Sequence, residues 1–447
     1  MSGEYPITHV IKRDGKTVPF HIDKVVNAIY KAAYAVGGHD REMAQCLAKE
    51  VIGHLALGHA PGDYPNVEEI QDLVEKVLIE NGHARTAKAF ILYREERARI
   101  RKEEQPRSSD ENVPYRKIWE VLNWNIDHEV ESLCKLNAWI ESGRFGELVT
   151  AADAAFEADV RAAAGAILKK RDSVRLVIIA GPSSSGKTTT TQKLEHYLRK
   201  AGLELVALGL DNYFYDLEVH PKDEFGDYDF ETPQAMDIEL INSHLADLCM
   251  GREVGVPVYN FITGRREEAT RGIKLEPHQL ILIDSLHGLY EPITQGMPKG
   301  AVFKIYIETL SQMKNADGQF IRWTDIRLMR RMLRDSKHRN HSPRRTLEHW
   351  HYVRNAEKRF IFPYVSTVDH IVNGALVYEL PVYKSLLFNY FSYFIDLYKD
   401  DPLRSDIHRR AMRVHRMLEQ ITAWDQMDAV PPDSLIREFI GGGIYEV

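Results

Sequence analysis

The sequence predicts an α/β protein: a mostly parallel sheet with helices on both faces, preceded by a mainly helical domain that carries a small β-hairpin. Three observations carry this expectation. After Arg175, short apolar runs alternate with helical segments: LVIIAG (176–181), LELVALGL (203–210), LILID (280–284), VFKIYI (302–307) and HIVNG (370–374). Apolar strands separated by helices build a parallel sheet buried on both faces. Before residue 99, apolar positions recur at helical spacing over 24–36, 41–57 and 67–98. Ahead of these, ITHVIKRDGKTVPF (7–20) reads as a hairpin turning at Asp14-Gly15.

In chain order, Asp23 is placed to cap the first helix. RIRKEEQPRSSDENVP (99–114) is polar, carries two prolines and reads as a linker. Residues 115–171 are helical, Ala-rich over 151–168, and show no ligand-like cluster. The helix 188–201 follows the first apolar strand, and the chain after 385 is helical and aromatic-rich, closing on PPDSLIREFIGGGIYEV. The expected division is a domain over 1–98, a linker and helical segment over 99–172, a domain over 173–385 and a helical tail over 386–447. No internal repeat or low-complexity tract is visible.

Composition narrows the function. At roughly 150 residues per domain, 447 residues suggest about three structural units. Hydrophobic residues make up 44% and charged residues 28%, which excludes wholesale disorder. Lys plus Arg (58) less Asp plus Glu (65) is −7, so only a local basic patch could attract nucleic acid. Cys46, Cys134 and Cys249 lie far apart with no CxxC, which excludes a zinc ribbon and argues against a disulfide framework. The opening MSGEYPITHVIKRDG has no apolar signal region, and no apolar run approaches a membrane span. A cytoplasmic protein without membrane or nucleic-acid partners is expected.

The strongest motif is Gly181-Pro182-Ser183-Ser184-Ser185-Gly186-Lys187-Thr188, continued by Thr189. It fits GxxxxGK[ST] between a strand and a helix, where glycines let backbone amides and a helix N-terminus face phosphate oxygens. Lys187 would reach the β and γ phosphates of ATP, and the Thr188 hydroxyl would hold Mg²⁺. The bland reading, a Ser/Gly-rich turn, does not account for the correct flanks. Asp211 follows the second apolar strand and Asp284 ends the third, both at carboxyl ends where ligands sit in open α/β sheets. One acid could direct metal and the other take a proton from a substrate hydroxyl; helix or turn capping is the competing reading. Residues 322–345 hold Arg327, Arg330, Arg331, Arg334, Lys337, Arg339, Arg344 and Arg345. Solvated surface and nucleic-acid contact compete here with a third reading, preferred because the run follows the phosphate loop in the same α/β unit. In it, Arg327, Arg331 and Arg334 share one helix face on a mobile lid that closes over triphosphate.

Residues 175–385 resemble the uridine kinase and phosphoribulokinase family of P-loop kinases. The resemblance is carried by GPSSSGKTT (181–189), DNYFYD (211–216), DYDFETPQAMD (227–237), VPVYNF (256–261) and IRLMRRMLRD (326–335). NFxTGxR (260–266) and SLIREFIGG (434–442) are closest to a bacterial nucleoside kinase-like branch. The resemblance implies that Asp211 is general base on a sugar hydroxyl, with Tyr213 in the same motif at the substrate. It implies that Glu231 bonds ribose hydroxyls and that Tyr259 and Arg266 line a nucleoside pocket. It makes Arg331, Arg334 and Arg339 phosphate-binding arginines. Two departures stand out: Gly264 replaces the base-reading His of pyrimidine kinases, and Asp284-Ser285-Leu286 replaces Glu-Gly-Ile.

The first ninety-eight residues resemble an ATP-cone, through VIKRDGKTVPF (10–20), Lys24 and its helix, and EEIQDLVEKVL through AKAFILYREER (68–97). This implies an adenine-nucleotide site built from Lys12, Arg13, Lys24 and Lys88, with the hairpin at Asp14 and Gly15 assisting; an exposed hairpin with solvated lysines is the alternative. The expectation is an ATP- and Mg-dependent kinase for a nucleoside hydroxyl, homo-oligomeric and regulated by nucleotide at the cone. The alternatives are a kinase for another sugar or purine nucleoside, and a non-catalytic ATP sensor that controls assembly or a protein partner.

Overall fold

Alternation of apolar and polar residues pairs β1 (His9–Ile11) with β2 (Thr17–Pro19) antiparallel, Val10 opposite Val18. Four helices follow: α1 (Ile22–Tyr34), α2 (Arg41–Gly58), α3 (Val67–Glu80) and α4 (Ala84–Glu103). They enclose a core of Val26, Ile29, Val51, Leu55, Val77, Leu78 and Phe90. Asp40 caps α2 by accepting from the Met43 amide at 2.9 Å, and Asn66 with Glu69 forms a capping box on α3. Asp23 does not cap α1, as the sequence suggested. The helix starts two residues earlier, after His21, and Asp23 sits in the first turn, where its charge favours the helix dipole. Nor does α4 end at residue 98; it continues to Glu103, because Ala, Arg, Lys and Glu sustain a helix until a breaker intervenes.

The computed structural model describes residues 7–11, 17–59, 64–103, 112–220, 232–298, 300–339, 341–401 and 404–445. It divides into two compact units, Met1–Gln105 and Pro106–Val447. Among the described residues no helix is long and apolar enough to cross a membrane.

The second unit opens with α5 (Tyr115–Asp127), α6 (Leu133–Glu141) and the Ala-rich α7 (Phe145–Leu168). Then come β3 (Leu176–Ala180), α8 (Lys187–Lys200), β4 (Glu204–Ala207) and α9 (Ile238–Cys249). β5 (Val254–Asn260) and β6 (Arg265–Ile273) form an antiparallel hairpin that the motif-level reading of VPVYNF did not resolve into strands. β7 (Gln279–Asp284), β8 (Val302–Glu308), α10 (Trp323–His338), α11 (Pro343–Phe360) and β9 (His370–Asn373) complete the α/β part. α12 (Glu379–Tyr398), α13 (Ser405–Glu419) and the short α14 (Arg437–Ile440) close the chain.

Five strands make one parallel sheet in the order β4-β7-β3-β8-β9. All five β3 side chains are buried, but they divide by parity. Val177 and Ile179 join the core built with α7, α10, α12 and α13; Leu176, Ile178 and Ala180 join the core built with α9 and the β5–β6 hairpin. That two-sided burial is why the strand reads as an unbroken apolar run. The segment after 385 belongs to this body: Phe391, Phe394, Leu418, Leu435 and Phe439 share one core with Val177 and Ile305.

Candidate active site

The phosphate loop leaves β3 at Ala180 and enters α8 at Lys187. Its two glycines are required by space and backbone. A Cβ on Gly181 would lie 2.3 Å from the Ile307 carbonyl oxygen, and Gly186 has φ +99° with Leu435 Cδ1 2.5 Å from where a Cβ would stand. Ser184 holds φ +60°, a conformation unusual outside glycine and concentrated at functional loops. The loop is held by its own carbonyls and by two carboxylates from elsewhere in the chain, while the Ser184 and Ser185 hydroxyls have no partner among the described residues. Lys187 Nζ donates to the Gly181 and Pro182 carbonyls at 3.0 and 3.2 Å, and the Ser183 amide donates to Glu357 at 3.2 Å. The Thr189 amide and hydroxyl both donate to Glu438, while Thr188 is half-buried.

Parallel topology brings both acids to the same edge of the sheet. β7 and β8 flank β3, so Asp284, in register with Ile179, stands one strand from the loop. Asp211 lies in a 3-10 turn (Leu210–Tyr213) beyond β4, the strand outside β7. Both residues are exposed to solvent, yet surrounded by enough protein that desolvation raises their pKa values. The Lys187 charge and a hydrogen bond from Thr191 pull Asp284 back down, and the charges of Glu438 and Asp211 push it up. Burial lowers the Lys187 pKa, opposed first by Asp284. Asp284 is thus coupled first to Lys187 and least to Asp211.

The basic run is not a single lid. Arg327 and Arg330 are fully buried. Arg327 bonds Glu357 at 3.0 Å and the Ser183 carbonyl at 3.1 Å, with Glu308 2.8 Å from its Nε. Arg330 forks onto Glu379 at 2.7 and 3.0 Å and also donates to the carbonyls of Ser185 (3.1 Å) and Gly374 (2.6 Å). Two buried guanidinium–carboxylate pairs thus support the phosphate loop from beneath, which corrects the lid reading for Arg327. Arg331 reaches Ser183 Oγ at 2.9 Å, and Arg334 lies 3.5 Å from Glu438. Arg339 is half-exposed beside Asp335, Lys337 donates to the Ile440 carbonyl, and Arg344 bonds Glu348.

Between the segment that follows Asp211 and the β5–β6 hairpin lies a cleft of about 490 Å³ lined by Tyr215, Asp216, His244 and Arg266, among others. The Arg266 guanidinium bonds Asp237 at 2.9 Å, and its amide donates to Asp216 at 2.8 Å. Tyr259 is nearly buried against His220, its hydroxyl without a partner among the described residues. Tyr213 is a core residue, fully buried with its hydroxyl engaged by His244 at 2.9 Å, so it supports this wall from behind. Gly264 has φ +67°, and a Cβ there would lie 2.8 Å from Leu217 Cβ. A histidine at this position would be both strained and blocked. Glu231 lies outside the described residues. So do Lys12, Arg13, Asp14 and Gly15 of the N-terminal unit; Lys24 on α1 and Lys88 on α4 are exposed.

Sequence reading missed the buried carboxylates Glu308, Glu357, Glu379 and Glu438, which hold arginines or loop groups. For Glu438 a signal existed in SLIREFIGG, which the motif comparison singled out without a role.

Residues 8–99 match the family model described as ATP cone domain, and residues 176–378 match that of the phosphoribulokinase / uridine kinase family. The uridine kinase of Chloroflexus aurantiacus is 29% identical over 201 residues, covering 44% of this chain and 86% of that protein. The uridine kinase of Staphylococcus aureus is 29% identical over 198 residues, again 44% and 86%. Among solved structures, a putative fructose transport system kinase from Silicibacter sp. TM1040 is 14% identical, covering 46% of this chain and 91% of that one, with a TM-score of 0.30.

Proposed function

From the premise that this chain joins an ATP cone domain to an ATP-dependent kinase domain of the phosphoribulokinase / uridine kinase family, we propose that it phosphorylates a nucleoside-like acceptor at the 5'-hydroxyl under nucleotide control from the cone. The observation that carries the chemistry is the grouping of Lys187, Asp284 and Asp211 at the carboxyl ends of neighbouring parallel strands. Lys187 turns from its own loop carbonyls to the transferring phosphate, and Arg331 and Arg334 neutralise charge at the loop's rim. Asp211 accepts the proton of the acceptor hydroxyl, its raised pKa making it a better base than an ordinary carboxylate.

Thr188 and Asp284 offer oxygen donors of the kind Mg²⁺ prefers; bound there with phosphates, it would neutralise their charge. Arg266, held by Asp237 and Asp216, walls the acceptor cleft. With histidine excluded at Gly264, the acceptor's base is read by other groups, and a purine or another sugar is a fair competitor to uridine.

A panel of nucleosides and sugars with ATP and Mg²⁺, read as phosphorylated product, tests the proposal. One acceptor should be turned over, and Lys187→Ala should abolish that turnover without loss of fold. Equal ADP release with and without every acceptor, or full turnover by Lys187→Ala, would overturn it.

A further inference from the structure

Outside the cleft, α5 and α7 enclose a second cavity of about 320 Å³ with the strand ends near Ser311 and Asn373–Val377. That is close to the lower end of the roughly 300–1,000 Å³ usual for small-molecule sites. Its walls include Trp124, Phe156, Val377 and alanines of α7. The segment 115–171, which showed no ligand-like cluster in sequence, supplies most of them, because the cluster forms only when two helices pack.

Two polar groups of the lining are unanswered. Asn125 is 1% exposed, and neither its amide nitrogen nor its amide oxygen has a partner among the described residues. The Ser311 hydroxyl, 4% exposed, also has none. A buried carboxamide with both functions unpaired is costly, and such groups in native proteins mark a missing water, ion or ligand. The charged members of the lining are, by contrast, already engaged: Asp159 accepts from Lys117 at 2.6 Å and from the Asn373 amide at 2.8 Å. Lys117 is shared between Asp159 and Glu120, so the lining carries an excess of negative charge that disfavours a phosphate or carboxylate.

We infer that this cavity is a second ligand site, for a neutral planar heterocycle of the nucleobase class. The Asn125 carboxamide, unpartnered and almost wholly covered in the wall, carries a donor beside an acceptor, and a turn of its side chain toward the cavity would bring that pair to the edge of a base. Trp124 offers an aromatic wall, and the volume admits a base with room to spare. The site is next to the catalytic machinery without being part of it. Gly374, between lining residues Asn373 and Ala375, accepts from Arg330, and a Cβ on it would lie 2.5 Å from the Ser185 carbonyl oxygen. A base seated here bears on the segment that underpins the phosphate loop.

The test uses the full chain saturated with a non-hydrolysable ATP analogue and titrated calorimetrically with adenine and with uracil. At least one base should bind at about 1 mM or tighter. Asn125→Leu, which keeps the branched shape but has no hydrogen-bonding atoms, should weaken it about tenfold, and Ser311→Ala, a milder change that guards against misfolding, by a smaller factor. Acceptor phosphorylation without added base should be unchanged in Ser311→Ala. Failure of both bases to bind wild-type protein overturns the inference, as does binding equally tight in both folded variants. Independence from the catalytic reading is built in, since binding at this cavity requires no phosphoryl transfer.

Discussion

Glu438, near the end of the chain, accepts two hydrogen bonds from Thr189, one from its amide at 3.1 Å and one from its hydroxyl at 3.0 Å. Thr189 sits in the first turn of α8, where amides and helix dipole favour an anion. A protein carboxylate thus holds part of the ground that a nucleotide phosphate would seek, with Arg334 3.5 Å away on its other side.

Glu438→Gln should therefore tighten ATP. The amide can still accept from Thr189, but the negative charge facing Lys187 and the incoming phosphates is gone. The expected fall in Kd is about 3- to 10-fold at low salt, from one charge at several ångströms in a partly screened site. It should shrink as salt rises. The thermal midpoint should drop, since Arg334 loses its buried counter-charge. Calorimetric ATP titration at two salt concentrations checks both; weaker binding by a folded variant would make Glu438 part of the phosphate site instead.

Asp211→Asn should lower kcat by roughly 10²–10⁴-fold while leaving ATP affinity nearly unchanged, because the amide cannot accept a proton. The pH profile adds a sign. Burial raises the Asp211 pKa, so wild-type activity should be lost as pH falls through a value above the ordinary carboxylate value of about 3.9. Rates measured across pH should show that acid limb in the wild type and not in the residual activity of the variant.

Restoring histidine at the hairpin turn should fail. Gly264→His places a side chain at φ +67° against Leu217, at an expected cost of about 1–3 kcal/mol. Denaturant melts should show the loss, and turnover of pyrimidine nucleosides should not rise.

A chain beginning at residue 112 should keep phosphoryl transfer and bind one nucleotide fewer than the full chain. The first unit has its own core, and Lys187, Asp211, Asp284 and the loop-supporting arginines all lie in the second. Coupling between sites is commonly about 1–3 kcal/mol, so the lost response should be a 5- to 150-fold change in rate or affinity. Identical kinetics and identical nucleotide stoichiometry in both chains would refute regulation by the cone.

What the sequence determined by itself is whatever chemistry lies in one contiguous stretch. GPSSSGKT between an apolar run and a helix, an acid at the end of an apolar run, and helical periodicity before residue 99 need no partner to be legible, since backbone geometry and side-chain type are local. Tertiary structure decided what each charge is for. Arg327 and Arg331 sit one helical turn apart, yet one is buried on Glu357 and the other reaches Ser183 Oγ. The partners that separate their roles lie far along the chain: Glu357 is 30 residues from Arg327, and Ser183 is 148 from Arg331. A guanidinium removed from water must find a carboxylate, and only packing reveals which one has been brought within 3 Å. The same packing made the expected tail part of the sheet's core and left Gly264 no room for a larger side chain.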